Sequence, residues 1–288
     1  MTGPQPASTG PADTGPASTE LLALACATAR EAGAMLVGRS GRATVVSTKS
    51  SPTDVVTEMD RAAERLIRQR IAEQRPEDSI LGEEGGQTGE GALVRWIVDP
   101  LDGTVNYLYD LPDWAVSIAA EVAGEIVAGA VCVPRRDALY FARAGGGAWR
   151  VSLTGGESAI AEQLKVNAGV PLARALIATG FGYDPGRRVV QGQVVGAILP
   201  KVRDIRRNGA CAIDLCSLAA GQVDGYYERG VQYWDIAAGS LIAREAGAIV
   251  TGLAGKPAGP AMTVGGGPAL FGELHDLLLS LRPERDAS

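Results

Sequence analysis

Carboxylates stand where apolar runs stop at three separated places in the 288-residue chain: Glu83 and Glu84 after "SIL", Asp99 and Asp102 after "WIV", and Asp235 in "YWDIAAG". Ending a buried strand in negative charge is costly unless a cation answers it. Two or more carboxylates with a backbone carbonyl make a hard oxygen site suited to Mg²⁺, an ion that keeps waters and recruits substrate phosphate to complete its octahedron. The run Asp102-Gly103-Thr104 reads as a turn entering a short helix, so the N–H groups of Gly103 and Thr104 are expected to face an anion, and Gly103 lets it come close. Carboxylates, metal and phosphate arranged in this way would carry out metal-assisted hydrolysis of a phosphate ester.

Each of these residues also has an ordinary role. Glu83-Glu84-Gly85-Gly86 alone reads as a solvated acidic turn, Asp102 as a helix N-cap, Asp60 as the acid of a capping box begun by Thr57, and Asp235 as the cap of the helix that follows it. Their order and local settings, taken together, favour the metal site.

Other chemistry is narrowed by composition. The chain has one histidine, His275, in the amphipathic stretch "FGELHDLLLSL" near its end, so a Ser/His/Asp triad, a Cys/His pair or a histidine-rich metal site has no partner in the body of the chain. The four cysteines, Cys26, Cys132, Cys211 and Cys216, lack CxxC spacing and are expected as buried free thiols, with neither zinc nor disulfides. A net charge of −6 argues against gripping a nucleic-acid backbone, while an anionic small substrate stays compatible once cations intervene.

Residues 1–19, "MTGPQPASTGPADTGPAST", are rich in Pro, Gly, Ser and Thr and read as a disordered tail. They lack the apolar core of a signal sequence, and no run elsewhere approaches the length of a membrane helix, so a cytoplasmic protein is expected. Residues 20–288 read as one unit with a soft subdivision. In 20–164, a helix from Glu20 capped by Thr19, an extended segment broken by Pro52, a second helix from Thr57 and a meander of strands predict a largely antiparallel sheet flanked by two helices. In 165–288, strand and helix alternate through "ARALIATG", "RVVQGQVVGAILPKV", "ACAIDLCSLAAGQ", "VDGYYE", "WDIAAGSLIAREAG" and "PALFGELHDLLLSL", which predicts a second α/β layer.

From about Glu20 to about Leu281 the chain resembles the Mg²⁺-dependent, lithium-sensitive inositol monophosphatase family, of the superfamily that includes fructose-1,6-bisphosphatase. The motifs "STKSSPTDVVTEMD", "ILGEEGG", "WIVDPLDGTVNY", "IRRNGACAIDLCSLAAGQVDGYYERG" and "YWDIAAGSLIAREAGA" occur in the family's order. The resemblance implies an α/β (α+β) fold, a layered αβαβα sandwich with mixed sheets, usually as a homodimer. It implies two or three Mg²⁺ ions held by Glu83, Asp99, the main-chain oxygen of Leu101, Asp102 and Asp235, with Glu84 in support. It makes Thr104 and Glu83 the groups that orient an attacking water, Asp60 the carboxylate behind Thr104, Lys49 a cation near phosphate, and Glu228 the acid that binds a substrate hydroxyl.

The implied reaction is hydrolysis of a small polyol or sugar monophosphate, above all inositol 1-phosphate, by in-line attack of a metal-activated water without a phosphoenzyme. Ala210-Cys211 follows Gly209 where relatives often carry a small hydroxyl residue and alanine, which bears on the polyol contact and puts Cys211 at the substrate. Histidinol phosphate, fructose 1,6-bisphosphate and a 3′-phosphonucleotide are the alternative substrates, and a non-catalytic regulatory protein on the same fold is the alternative from another class.

Overall fold

The computed structural model describes residues 15–40, 43–49, 55–156 and 159–285. The chain begins with α1 (Gly15–Val37), a hairpin of β1 (Val45–Thr48) and β2 (Val55–Thr57), and α2 (Glu58–Gln74). The strands β3 (Ser79–Gly82), β4 (Gly86–Thr88) and β5 (Val94–Asp102) follow, then the one-turn helix α3 (Thr104–Leu108) and the meander β6 (Ala115–Val122), β7 (Glu125–Val133), β8 (Ala138–Arg143), β9 (Ala148–Val151) and β10 (Glu162–Gln163). The remainder is β11 (Leu176–Thr179), α4 (Pro185–Ile198), β12 (Asp204–Arg206), α5 (Cys211–Ala219), β13 (Gly225–Glu228), α6 (Tyr233–Glu245), β14 (Ile249–Thr251), β15 (Thr263–Gly266) and α7 (Pro268–Leu281).

Two sheets result. The larger has the order β10-β9-β8-β7-β6-β5-β3-β4 and is antiparallel except where β3 runs parallel to β5; the smaller has the order β12-β11-β13-β15-β14, parallel at its β12-β11-β13 side. The apolar stripes of α1 (Leu21, Leu24, Ala25, Ala32, Leu36) and α2 (Met59, Ala63, Ile67, Ile71) recur at helical spacing and bury against one face of the large sheet. The helices α5 and α6 are buried almost all round because they lie between the two sheets, and α4 and α7 cover the outer face of the small one. The molecule is therefore the αβαβα sandwich that the sequence resemblance implies.

Two sequence expectations change. Thr19 lies inside α1 and does not cap it: the helix already runs from Gly15, because a proline in the first turn lacks only an N–H that would have no intrahelical acceptor. The tail expected over 1–19 thus overlaps the helix at 15–19, and its remainder falls outside the described residues, as does Pro52. The short strands β12, β14 and β15 have no counterpart in the sequence reading. In β15, Gly265 and Gly266 leave no side-chain alternation to detect, yet the strand is wholly buried and a Cβ on Gly265 would stand 2.8 Å from Leu218.

Candidate active site

The site begins where β5 leaves its ladder. Pairing with β6 shifts register between Asp99 and Asp102, at Pro100, a residue with no N–H to give a neighbouring strand. The Leu101 N–H donates to Asp99 Oδ1 at 3.0 Å, and the Ala212 N–H, in the first turn of α5, donates to Asp102 Oδ2 at 2.7 Å. Gly103 then turns the chain at φ +88°, and a Cβ there would stand 2.7 Å from the Asp113 carbonyl oxygen, so the turn takes only glycine. Thr104 opens α3, and its hydroxyl lies 2.9 Å from Asp60 Oδ1 and 3.1 Å from the Leu101 carbonyl oxygen. Asp60 does close a capping box with Thr57 at the start of α2. Its second oxygen serves that box while its first reaches Thr104, so the ordinary role and the site role coexist.

Glu83 and Glu84 form the turn after β3. Lys49 Nζ donates to both, at 2.6 Å to Glu83 Oε1 and 2.5 Å to Glu84 Oε1. Beneath the turn lies Glu64 of α2, which the sequence reading missed. Its carboxylate accepts from the N–H groups of Glu84 (2.7 Å) and Gly85 (2.9 Å) and pairs with Arg68 one helical turn on. Gly82 and Gly85 make room for it: a Cβ on either would meet Glu64 Oε1 at 2.5 and 2.7 Å. The trace in the sequence is an i,i+4 Glu-Arg pair ahead of a glycine-flanked acidic turn.

The last acids come from the far end of the chain. Asp235, the third residue of α6 and not its cap as the sequence allowed, closes a capping box with the N-cap Gln232: its Oδ2 accepts from the Gln232 N–H at 2.6 Å, which leaves Oδ1 for other work. Glu228 ends β13, and Tyr226 on the same strand places its hydroxyl 3.0 Å from Glu228 Oε2 and 3.0 Å from Cys211 Sγ. A cavity of about 590 Å³ gathers Glu83, Asp99, Asp102, Thr104, Glu228 and Asp235, together with Lys49, Leu101, Gly103 and Cys211. Asp60 and Glu84 stand behind this wall. Arg187, Arg207 and Phe181 also line the cavity, and the Arg207 guanidinium sits 5.9 Å from the centre of the Phe181 ring. No sequence signal singled these three out, because a cation and an aromatic ring brought together from different elements have no spacing to read.

Burial and mutual repulsion set the electrostatics. Desolvation, then the charges of Glu83, Asp102 and Asp235, hold Asp99 well above the usual carboxylate range; desolvation and Asp235 do the same for Asp102. Desolvation also raises Glu83 to about 7 against the pull of Lys49, Asp235 to about 6 and Glu228 to about 7. Lys49 is pulled down by burial, but Glu83 and Glu84 reverse this and hold its ammonium above the ordinary lysine range.

Asp99 is within hydrogen-bonding reach of both Glu83 and Asp235, a closeness that carboxylates tolerate only with protons or cations between them. Among the described residues, no three such side chains converge on one point as a finished cage; the acids approach one another in pairs. The donors are all oxygen and Lys49 pairs with only Glu83 and Glu84 among them, and that chemistry fits a hard divalent cation rather than a soft one.

A layered αβαβα sandwich whose strand ends and helix starts deliver carboxylates to one cavity defines a phosphatase class. The chain belongs to the inositol monophosphatase family, whose profile matches residues 17–286. It is 48% identical over 210 residues to the inositol-1-monophosphatase of Mycobacterium leprae, 71% of this chain and 70% of that one. It is 38% identical over 233 residues to the Nus factor SuhB of Pasteurella multocida, covering 80% of this chain and 84% of that protein. The solved structure of Mycobacterium tuberculosis SuhB superposes with a TM-score of 0.78 at 40% identity, covering 93% of this chain and 98% of that one. The protein is accordingly a phosphatase. Among the described residues no helix is long and apolar enough to cross a membrane.

Proposed function

We propose that this phosphatase hydrolyses small polyol or sugar monophosphates, inositol 1-phosphate foremost, with Mg²⁺. The observation that carries the reading is the convergence of Glu83, Asp99, Asp102 and Asp235 with the Thr104-Asp60 pair on one cavity. Glu83, Asp99, the Leu101 carbonyl, Asp102 and Asp235 would hold two or three ions, with Glu84 keeping Glu83 in place. Bound Mg²⁺ supplies positive charge to the phosphate oxygens and makes water a nucleophile near neutral pH.

The remaining work falls to the chain. Asp60 takes hydrogen bonds from Thr57 and Thr104, which commits the Thr104 proton inward and leaves the hydroxyl oxygen to accept one from water. Glu83 would accept from the same water at its carboxylate and, with Thr104, aim it at phosphorus. The water oxygen bonds to phosphorus in line as the ester P–O bond breaks; the proton that this water loses passes to solvent, and the leaving alkoxide takes one from a neighbouring water and departs as the polyol. The N–H groups of Gly103 and Thr104 steady the phosphate, Lys49 adds positive charge beside Glu83, and Glu228 accepts from a substrate hydroxyl. Cys211 lines the wall near that hydroxyl. Histidinol phosphate, fructose 1,6-bisphosphate and 3′-phosphonucleotides are the competing esters, separated by kcat/KM.

Phosphate release from a panel of these esters, with and without Mg²⁺ and with added Li⁺, tests substrate and cofactor together. No release from any ester at excess Mg²⁺ would sink the reading. It would favour a second one, a regulatory protein on the same fold, which draws its support from the relatives that bear the name Nus factor. The same resemblance supports a cytoplasmic homodimer, and light scattering would then give about twice the 29.7 kDa chain mass.

A further inference from the structure

Tyr226 has 0% exposure, and it precedes Glu228 by two positions on β13, so the two side chains leave the strand on one face. Its hydroxyl stands 3.0 Å from both Glu228 Oε2 and Cys211 Sγ. A tyrosine hydroxyl has one proton, and a carboxylate is a far stronger acceptor than a thiol. The proton therefore goes to Glu228, and the Cys211 S–H is left to donate to the tyrosine oxygen. The side chain of Glu228 is confined on a second side by Gly180, where a Cβ would stand 2.1 Å from Oε1 and 2.2 Å from Oε2. The carboxylate lies flat against bare backbone, with one oxygen tied down.

We propose that Tyr226 is a positioning residue, which with Gly180 fixes the Glu228 carboxylate so that Oε2 is occupied and Oε1 is presented to a substrate hydroxyl. The preference for hydroxyl-rich esters over plain ones is then set partly by a residue that substrate never touches. Freed from Tyr226, Glu228 loses its fixed aim, and a hydroxyl must pay for ordering it. This rests on the reading above that Glu228 binds a substrate hydroxyl. A merely structural Tyr226 would affect all esters alike.

The test compares kcat/KM for inositol 1-phosphate and for phenyl phosphate, which lacks neighbouring hydroxyls, in the full-length Mg²⁺-loaded enzyme. Tyr226→Phe is expected to lower the ratio of the two about five- to tenfold, the net scale of one hydrogen bond, and to do so through KM rather than kcat. Glu228→Gln should lower the same ratio, and adding Tyr226→Phe to it should lower it no further. If Glu228→Gln leaves the ratio unchanged, the hydroxyl-binding reading itself fails. If Glu228→Gln lowers it while Tyr226→Phe reduces both esters equally, or lowers the ratio again in the double variant, the positioning role alone is overturned. Should Tyr226→Phe not fold, Gly180→Ala displaces the same carboxylate from its other side and is expected to lower the ratio in the same way; an unchanged ratio there overturns the proposal.

Discussion

At the scale of single residues, Asp99 is the sharpest case. It is 1% exposed, lies within reach of Glu83 and Asp235, and in the unloaded site is kept far from ionising by burial and by their charges. As a metal ligand it must ionise, so it contributes to turnover at the expense of the unloaded fold. Asp99→Asn is therefore expected to cut phosphate release at least about a hundredfold, the effect of losing several kcal/mol of metal charge stabilisation. In EDTA the variant should melt no lower than the parent, since a neutral amide replaces a carboxyl that burial already keeps protonated. Full activity, or a variant that no longer folds, would refute this. Thr104 divides differently: Thr104→Ser keeps the hydroxyl that donates to Asp60 and should stay within about tenfold of parent kcat, while Thr104→Ala, having no hydroxyl, should fall further by the scale of general acid-base positioning. Steady-state kinetics on both variants, with equal losses counting against the role, decides it.

Among the elements, the turn from β3 into β4 shows what holds the acids where they are. Glu64 reaches it from α2, is 3% exposed, and accepts from two backbone N–H groups and Arg68. Glu64→Ala would strand those donors, and a loss of about 1–3 kcal/mol in urea unfolding is expected, with weaker Mg²⁺ activation because Glu83 sits on the same turn. Glu64→Gln, which keeps an acceptor oxygen, should lose less; equal losses would mean that the charge, not the geometry, matters. The sequence made legible those acids that sit at a change of texture, where apolar β5 stops or α6 starts, because hydrophobic period and charge are both local. It also supplied the two helices that flank the large sheet and their buried stripes. Glu64, Tyr226, Arg207 and Phe181 were hidden because their meaning lies in contacts across elements, and a glutamate inside an amphipathic helix looks like any solvated one. The strands β12, β14 and β15 were hidden because they are three or four residues long and acquire their regularity from neighbours in the sheet.

For the whole molecule, concentrating acids in one cavity ties stability to pH and to metal. Glu83 and Glu228 are raised to about 7 and Asp235 to about 6, mainly by desolvation, and Asp99 and Asp102 lie well above their ordinary range. A raised carboxylate binds its proton more tightly when folded, so between the unfolded value near 4 and the folded values the native state holds the extra protons. Metal-free protein should thus lose stability as pH rises through about 4 to 7, and go on losing it as Asp99 and Asp102 ionise. Acids outside the cavity with lowered values, such as Asp137 and Asp204, work in the opposite direction, but equally with and without metal. The clean readout is therefore the gap between melting temperatures in Mg²⁺ and in EDTA. Mg²⁺ takes the place of those protons and binds only the folded site, so the gap should be small at pH 5 and widen steadily to pH 8. Asp99→Asn should narrow it at pH 8 by removing a ligand. A gap that is the same at both ends of the range, or wider at pH 5, would mean that the raised carboxylates are not where the metal binds.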